Sequence, residues 1–239
     1  IVSLILFFSH WIYQFLFFSD DLIVKVLFFG GSEGQLYTYI KYLSSIDFNN
    51  SYSTINTELK NVPIPFGSLL FHSIFFKLFG DAGLIIIDFF NIFIFILIFY
   101  SIFQIFFSES ASFLFAFFLY CLPSLLTFLV GENFVYLTQL TNDFYNLRVH
   151  RPFPSSLYLY GFILALSLIY HNKFNKNKLY ITLGILLGLL FSSFYYFFVI
   201  SSIAFIFYLI NYSNSNLPNF LKENKKSFVF FILSFFVTI

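Results

Sequence analysis

Arginine is nearly missing from this chain: Arg148 and Arg151 stand against ten lysines. Methionine is absent, and there is one cysteine, Cys121, and one tryptophan, Trp11. A lone cysteine excludes a disulfide framework within the chain and any zinc-type cluster. In the middle of an apolar run it reads as a small core residue. Charged residues make up only 10% of the sequence and the net charge is +1, which leaves no basic stripe of the kind nucleic acid needs. Nucleic-acid binding is excluded on that ground. With so little charge and 59% apolar residues, the chain cannot hide its apolar surface as a soluble domain. It reads as an all-α polytopic membrane protein. What is abundant is phenylalanine, 43 residues, within an aromatic share of 26%. The excess of Phe, Ile, Tyr, Asn and Lys over Ala and Arg has the look of low-GC codon bias, so single phenylalanines carry little functional weight. The placement of the two arginines carries more.

Apolar runs of about twenty residues mark spans, and lysine in short loops marks the cytoplasmic side. The runs fall at 1–18, 83–106, 110–130, 155–171, 179–210 and 227 onward. The first lacks a small-residue cleavage site before Asp20 and carries His10, Trp11 and Gln14, so it is a first span and not a signal peptide. The run 179–210 is too long for one untilted helix and breaks at "GLLFSSFYYFF", giving spans at 179–192 and 194–210. The total is about seven spans. The chain opens at Ile1 and stops inside an apolar run, as a fragment would: one incomplete transmembrane domain over 1–239, with a truncated last span. Lys173, Lys176 and Lys178 in one loop, and Lys222, Lys225 and Lys226 in another, place both on the cytoplasmic side. Counting back, 131–154 and 19–82 are extracytoplasmic, in a multi-pass protein of the plasma (inner) membrane.

The long outer segment 19–82 contains two short helical patterns. "EGQLYTYIKYLSSI" spaces Leu36, Tyr37, Ile40 and Leu43 as a helix on the membrane surface would. "FGSLLFHSIFFKLFG" follows Pro63 and Pro65 and ends at Gly80, as a second short helix would. Both are expected to be interfacial. Within it Lys77 snorkels, being five positions from His72 and on another face. Asp88 and Asn91, three apart, are neighbours on a span, where an acidic residue faces a polar helix or a cavity. "GILLG" (184–188) is a close-contact helix pattern.

In their order, "SEGQLYTYIKYLSSIDF", "VPIPFGSLLFHSIFFKLFGDAG" and "LGILLGLLFSSFYYFFVISSIAF" resemble the GT-C superfamily of membrane glycosyltransferases, closest to the protein mannosyltransferase and aminoarabinose transferase branch. The chain would cover about the N-terminal half of such an enzyme. The resemblance implies transfer of a sugar from a polyprenyl-phosphate donor to an acceptor at the outer face, with membrane lipid around the protein. Glu33 matches the glutamate of the family's acidic pair, while its aspartate position is Ser32. Asp20 and Asp21 stand nearby, and Asp21 is the carboxylate that could stand in. Lys60 lies three residues before Pro63, near the family's lysine. Asp88 falls about where relatives place an arginine.

Such chemistry needs a carboxylate for the acceptor proton and cations for the departing phosphate. Guanidinium suits the second task because its planar fork binds phosphate oxygens bidentately. Glu33 and Asp21 are the expected catalytic carboxylates, and Arg148, His150, Arg151 and Lys60 the expected donor-phosphate ligands. The segments 30–34 and 146–152 would then share one cavity. The alternative for the arginines is anchoring to lipid phosphates, or pairing with Asp143 and Glu132. No resident cofactor is expected with certainty; a divalent metal is an open option, with no ligand assigned. Two other classes stand beside the glycosyltransferase reading: a lipid or polysaccharide transporter, favoured by the break at 190–194, and a catalytically inactive relative in envelope assembly, favoured by Ser32.

Overall fold

The computed structural model describes residues 1–17, 32–45, 66–130, 139–140, 147, 153–171, 175–213 and 217–239. Among them all regular structure is helical, as the apolar runs require, because in lipid a helix satisfies its own backbone polar groups. The chain divides into two compact units, residues 1–93 and 94–239.

The first unit holds α1 (Val2–Phe17), α2 (Ser32–Ser45), α3 (Phe66–Phe79) and the first half of α4 (Ala82–Phe103). The end of α3 is set by Gly80, whose φ of 61° lies in the left-handed region that glycine enters without strain. Its N–H caps the Phe76 carbonyl at 2.7 Å. Two residues later the chain is helical again, with Leu84 N–H bonded to the Asp81 carbonyl at 3.1 Å. A Cβ on Gly83 would overlap the Phe75 carbonyl, so α4 starts in backbone contact with α3. Helices α2 and α3 pack together, with Tyr37 edge-on to Phe76 at 5.8 Å. Phe7 of α1 meets Phe89 of α4 in the same edge-on way at 5.6 Å. The sequence places helices at 33–46 and 66–80, and both form. At 14 residues, α3 rises about 21 Å, short of the roughly 30 Å hydrocarbon core.

The second unit holds the rest of α4, then α5 (Glu109–Val130), α6 (Pro154–Tyr170), α7 (Lys176–Phe191), α8 (Tyr195–Tyr212), α9 (Leu217–Glu223) and α10 (Lys225–Thr238). The run 179–210 does break, at Ser192–Phe194, where Ser193 Oγ turns back onto the Leu189 carbonyl at 2.6 Å. The most extensive helix pair is α7 with α10, followed by α6 with α7. Helix α6 is enclosed at its N-terminal end. From Phe153 to Tyr160 every residue is buried, including Ser155 at 2% and Ser156 at 0% exposure. Tyr160 packs on Phe95 and Phe99 of α4, and Phe162 on Phe205 of α8. Phe205 also stacks on Phe231 of α10 at 4.8 Å.

The pairing of α7 with α10 rests on absent side chains. A Cβ on Gly184 would overlap Ser234 Oγ and the Phe231 carbonyl, and one on Gly188 would overlap Thr238 Oγ1 and lie 2.8 Å from its Cβ. The glycine pattern at 184–188 is therefore the close helix contact that its spacing implies.

Among the described residues, three helices are long and apolar enough to cross a membrane: Ala82–Phe103, residues 109–126 of α5, and Tyr195–Tyr212. Their outward stripes are apolar: Phe90, Phe93, Ile94 and Leu97 on α4, Ile200, Ile203, Ile206 and Ile210 on α8 are all exposed. Such stripes at helical spacing suit lipid contact. The helix of the expected first span has 16 residues and rises about 24 Å.

Candidate functional site

Of the expected site residues, Glu33 falls on a described helix, at the second position of α2. Asp21, Lys60, Arg148, His150 and Arg151 lie outside the described residues, as do Asp20, Glu132 and Asp143. Their immediate frame is visible in one place. The Leu147 carbonyl, next to Arg148, accepts a hydrogen bond from Tyr160 Oη at 2.5 Å. At Phe153 the backbone N–H bonds Ser156 Oγ at 3.1 Å, and that hydroxyl returns to the Phe153 carbonyl at 2.8 Å. The buried start of α6 thus carries the two backbone points that flank the arginine segment.

Against α2 the first unit places a carboxylate that sequence reading did not single out. Tyr37, one turn beyond Glu33 on α2, donates its hydroxyl to Asp81 Oδ1 at 2.7 Å. Burial, the hydrogen bond to Asp81 and the charge of its carboxylate push the Tyr37 phenol from 10.0 up to about 12. The signal available in sequence was the acidic residue immediately after the helix-ending Gly80, but nothing in the spacing linked it to α2.

A second buried carboxylate sits on α4. Asp88 is 2% exposed and its Oδ2 accepts the Trp11 indole N–H at 2.9 Å. Asn91, one turn on, is buried as well, and His72 on α3 is 1% exposed. Lys77 is exposed on α3, as its separate face implies. Asp88 thus meets a polar group of the first helix, one of the two roles open to an acidic residue in a span. Phe7, Phe8, Trp11, Ile12, Leu16 and Ile85 wall an apolar crevice of about 240 Å³ beside it. In the second unit, Tyr100, Glu109, Ser110, Phe113 and Leu114 line an open hollow of about 490 Å³ at the turn between α4 and α5. Cys121 lies on α5, partly exposed and free. Among the described residues, no group of three His, Cys, Asp or Glu is arranged to hold a metal ion.

Comparison with known families, characterised proteins and solved structures finds no match for this chain.

Proposed function

We propose that this chain is part of a multi-pass glycosyltransferase of GT-C type in the plasma membrane, with about seven crossings. It moves a sugar from a polyprenyl-phosphate donor to an acceptor at the outer face. The supporting observation is the order of helices. An apolar α1 is followed by two short helices, α2 and α3, then a tight turn into the long apolar α4 and a quick return through α5. Glu33 stands in the first turn of the first short helix, where the resemblance puts the acidic motif. In the reaction the bond from the sugar's anomeric carbon to phosphate oxygen breaks and a bond to the acceptor oxygen forms. The acceptor proton passes to a carboxylate, and polyprenyl phosphate leaves. Glu33 takes or orients that proton, with Asp81 or Asp21 as the further carboxylate where the family has aspartate and this chain has Ser32. Arg148 and Arg151, with His150 and Lys60, hold the phosphate.

The test is turnover of the full-length protein with a panel of polyprenyl-phosphate sugars. Loss of one charge-assisted phosphate contact costs about 1.5–3 kcal/mol, or roughly ten- to hundredfold in rate. Arg148→Lys and Arg151→Lys are expected to show that loss although charge is kept, because the bidentate fork is gone. Full activity in both lysine variants returns the arginines to lipid anchoring. Ser32 favours a second reading, an inactive relative; absence of turnover with every donor, from protein that still binds polyprenyl phosphate, selects it.

A further inference from the structure

Five lysines on two stretches of sequence come together at one end of the second unit. Lys176 and Lys178 open α7, Lys222 lies on α9, and Lys225 and Lys226 open α10. The two stretches are joined by Ser227 Oγ donating to Asn177 Oδ1 at 2.6 Å. The end of α8 arrives at the same place, with Lys176 Nζ 5.7 Å from the centre of the Tyr212 ring. Lys178, Lys222, Lys225 and Lys226 are exposed, and the one carboxylate among these stretches is Glu223, also exposed. Four positive charges are thus in excess over 175–178 and 217–226.

The depth of this cluster follows from what surrounds it. Tyr212 ends a helix long and apolar enough to span. Around it Tyr170, Tyr208 and Phe220 form a ring-to-ring cluster, Phe220 continuing onto Phe228. Amphipathic aromatic rings at the end of a span mark the membrane–water boundary. Lysine stems that lie over such rings place their ammonium groups at headgroup level; Lys226 Nζ, 5.9 Å from the centre of the Phe230 ring, does so too.

We infer that this end of the second unit is a binding surface for anionic phospholipid headgroups. The cluster is built by folding, since neither stretch alone brings the lysines together. An acidic headgroup phosphate meets several ammonium groups with a single carboxylate opposing it, and lysine near an anionic surface attracts it measurably. This site is independent of the glycosyltransferase proposal and survives its failure.

The full-length protein in mixed bilayers, with spin-labelled phosphatidylglycerol or phosphatidylcholine as the probe, reads the relative association of each lipid. Wild type is expected to enrich phosphatidylglycerol over phosphatidylcholine about two- to fivefold, less at 1 M salt than at 0.15 M because screening shortens the reach of each charge. The triple variant K222Q/K225Q/K226Q, all exposed positions, is expected to lose most of that selectivity. Glu223→Lys is expected to raise it. Equal association of both lipids with wild type, or selectivity unchanged in the triple variant, overturns the assignment. So does an acidic protein partner that binds the same lysines in neutral detergent and leaves the lipid preference unaltered by their removal.

Discussion

Replacing Gly184 by alanine tests the contact between α7 and α10 by the sign of its effect. On an exposed helix surface the change stabilises by about 1 kcal/mol, because alanine loses less backbone freedom. Here the new Cβ overlaps the Phe231 carbonyl as well as Ser234 Oγ. A hydroxyl can rotate away; a backbone oxygen cannot, so α10 as a whole must move outward. Overpacking of that kind costs about 1–3 kcal/mol, and the upper end applies when backbone is struck. The net loss is then about 2 kcal/mol, which for a chain of this size lowers the melting midpoint by about 4–8 °C. Gly188 differs, since its nearest neighbours are the side-chain atoms of Thr238. G188A is expected to be milder and to be largely rescued by Thr238→Ala, whereas Ser234→Ala rescues G184A only in part. The single cysteine, Cys121, on α5 of the same unit and partly exposed, lets a thiol-reactive dye follow unfolding in detergent. A G184A protein that melts at or above the wild-type temperature refutes the close packing.

Four further outcomes are expected. Asp88→Ala removes the acceptor of the Trp11 indole N–H, costing about 1–3 kcal/mol, and since Trp11 is the chain's one tryptophan its emission maximum should shift; an unshifted spectrum denies the hydrogen bond. Tyr37→Phe removes the hydroxyl held by Asp81, at a cost of about 1 kcal/mol. The raised Tyr37 phenol contributes stability that is complete below pH 10 and fades as pH rises through about 12, so alkaline unfolding of wild type, but not of Y37F, should carry that loss. Cysteines placed at Asn172 and Asn146 should be labelled from opposite sides of the membrane by an impermeant reagent; labelling from one side alone discards the topology.

Most helix positions were legible in the sequence to within a few residues because long apolar runs leave the backbone no other option in lipid; the short α9, inside the lysine stretch read as a loop, was not. Gly80 and the break after Phe191 were legible for local reasons, a left-handed turn and a run too long for one helix. The glycine pair at 184 and 188 announced a close contact, though not that α10 supplies it. Partners were illegible because these helices are apolar on nearly every side, and a helix without a polar face carries no signal of which way it is turned. That is why Asp88 could be flagged as costly in a span while its bond to Trp11 could not, and why Asp81 gave no hint of Tyr37. The sequence leads one to expect the two lysine loops on one side of the membrane; their meeting through Ser227 and Asn177 depends on the fold. For the arginine segment, what became visible is its frame on α6, at Leu147 and Phe153.

The enclosed serines at the start of α6 bear on how this sequence can drift. A composition this rich in Phe, Ile, Tyr, Asn and Lys fits a steady pressure toward A/T-rich codons, many of which encode large side chains, and most outward positions can absorb it at little cost. Ser155 and Ser156 cannot, since both are shut in on every side and Ser156 also closes the helix start. In a saturation library they should accept only residues of serine's size or smaller, while neighbouring exposed sites such as Ile163 accept most apolar ones. In a chain under such pressure, the small residues that persist map where the fold has no room left.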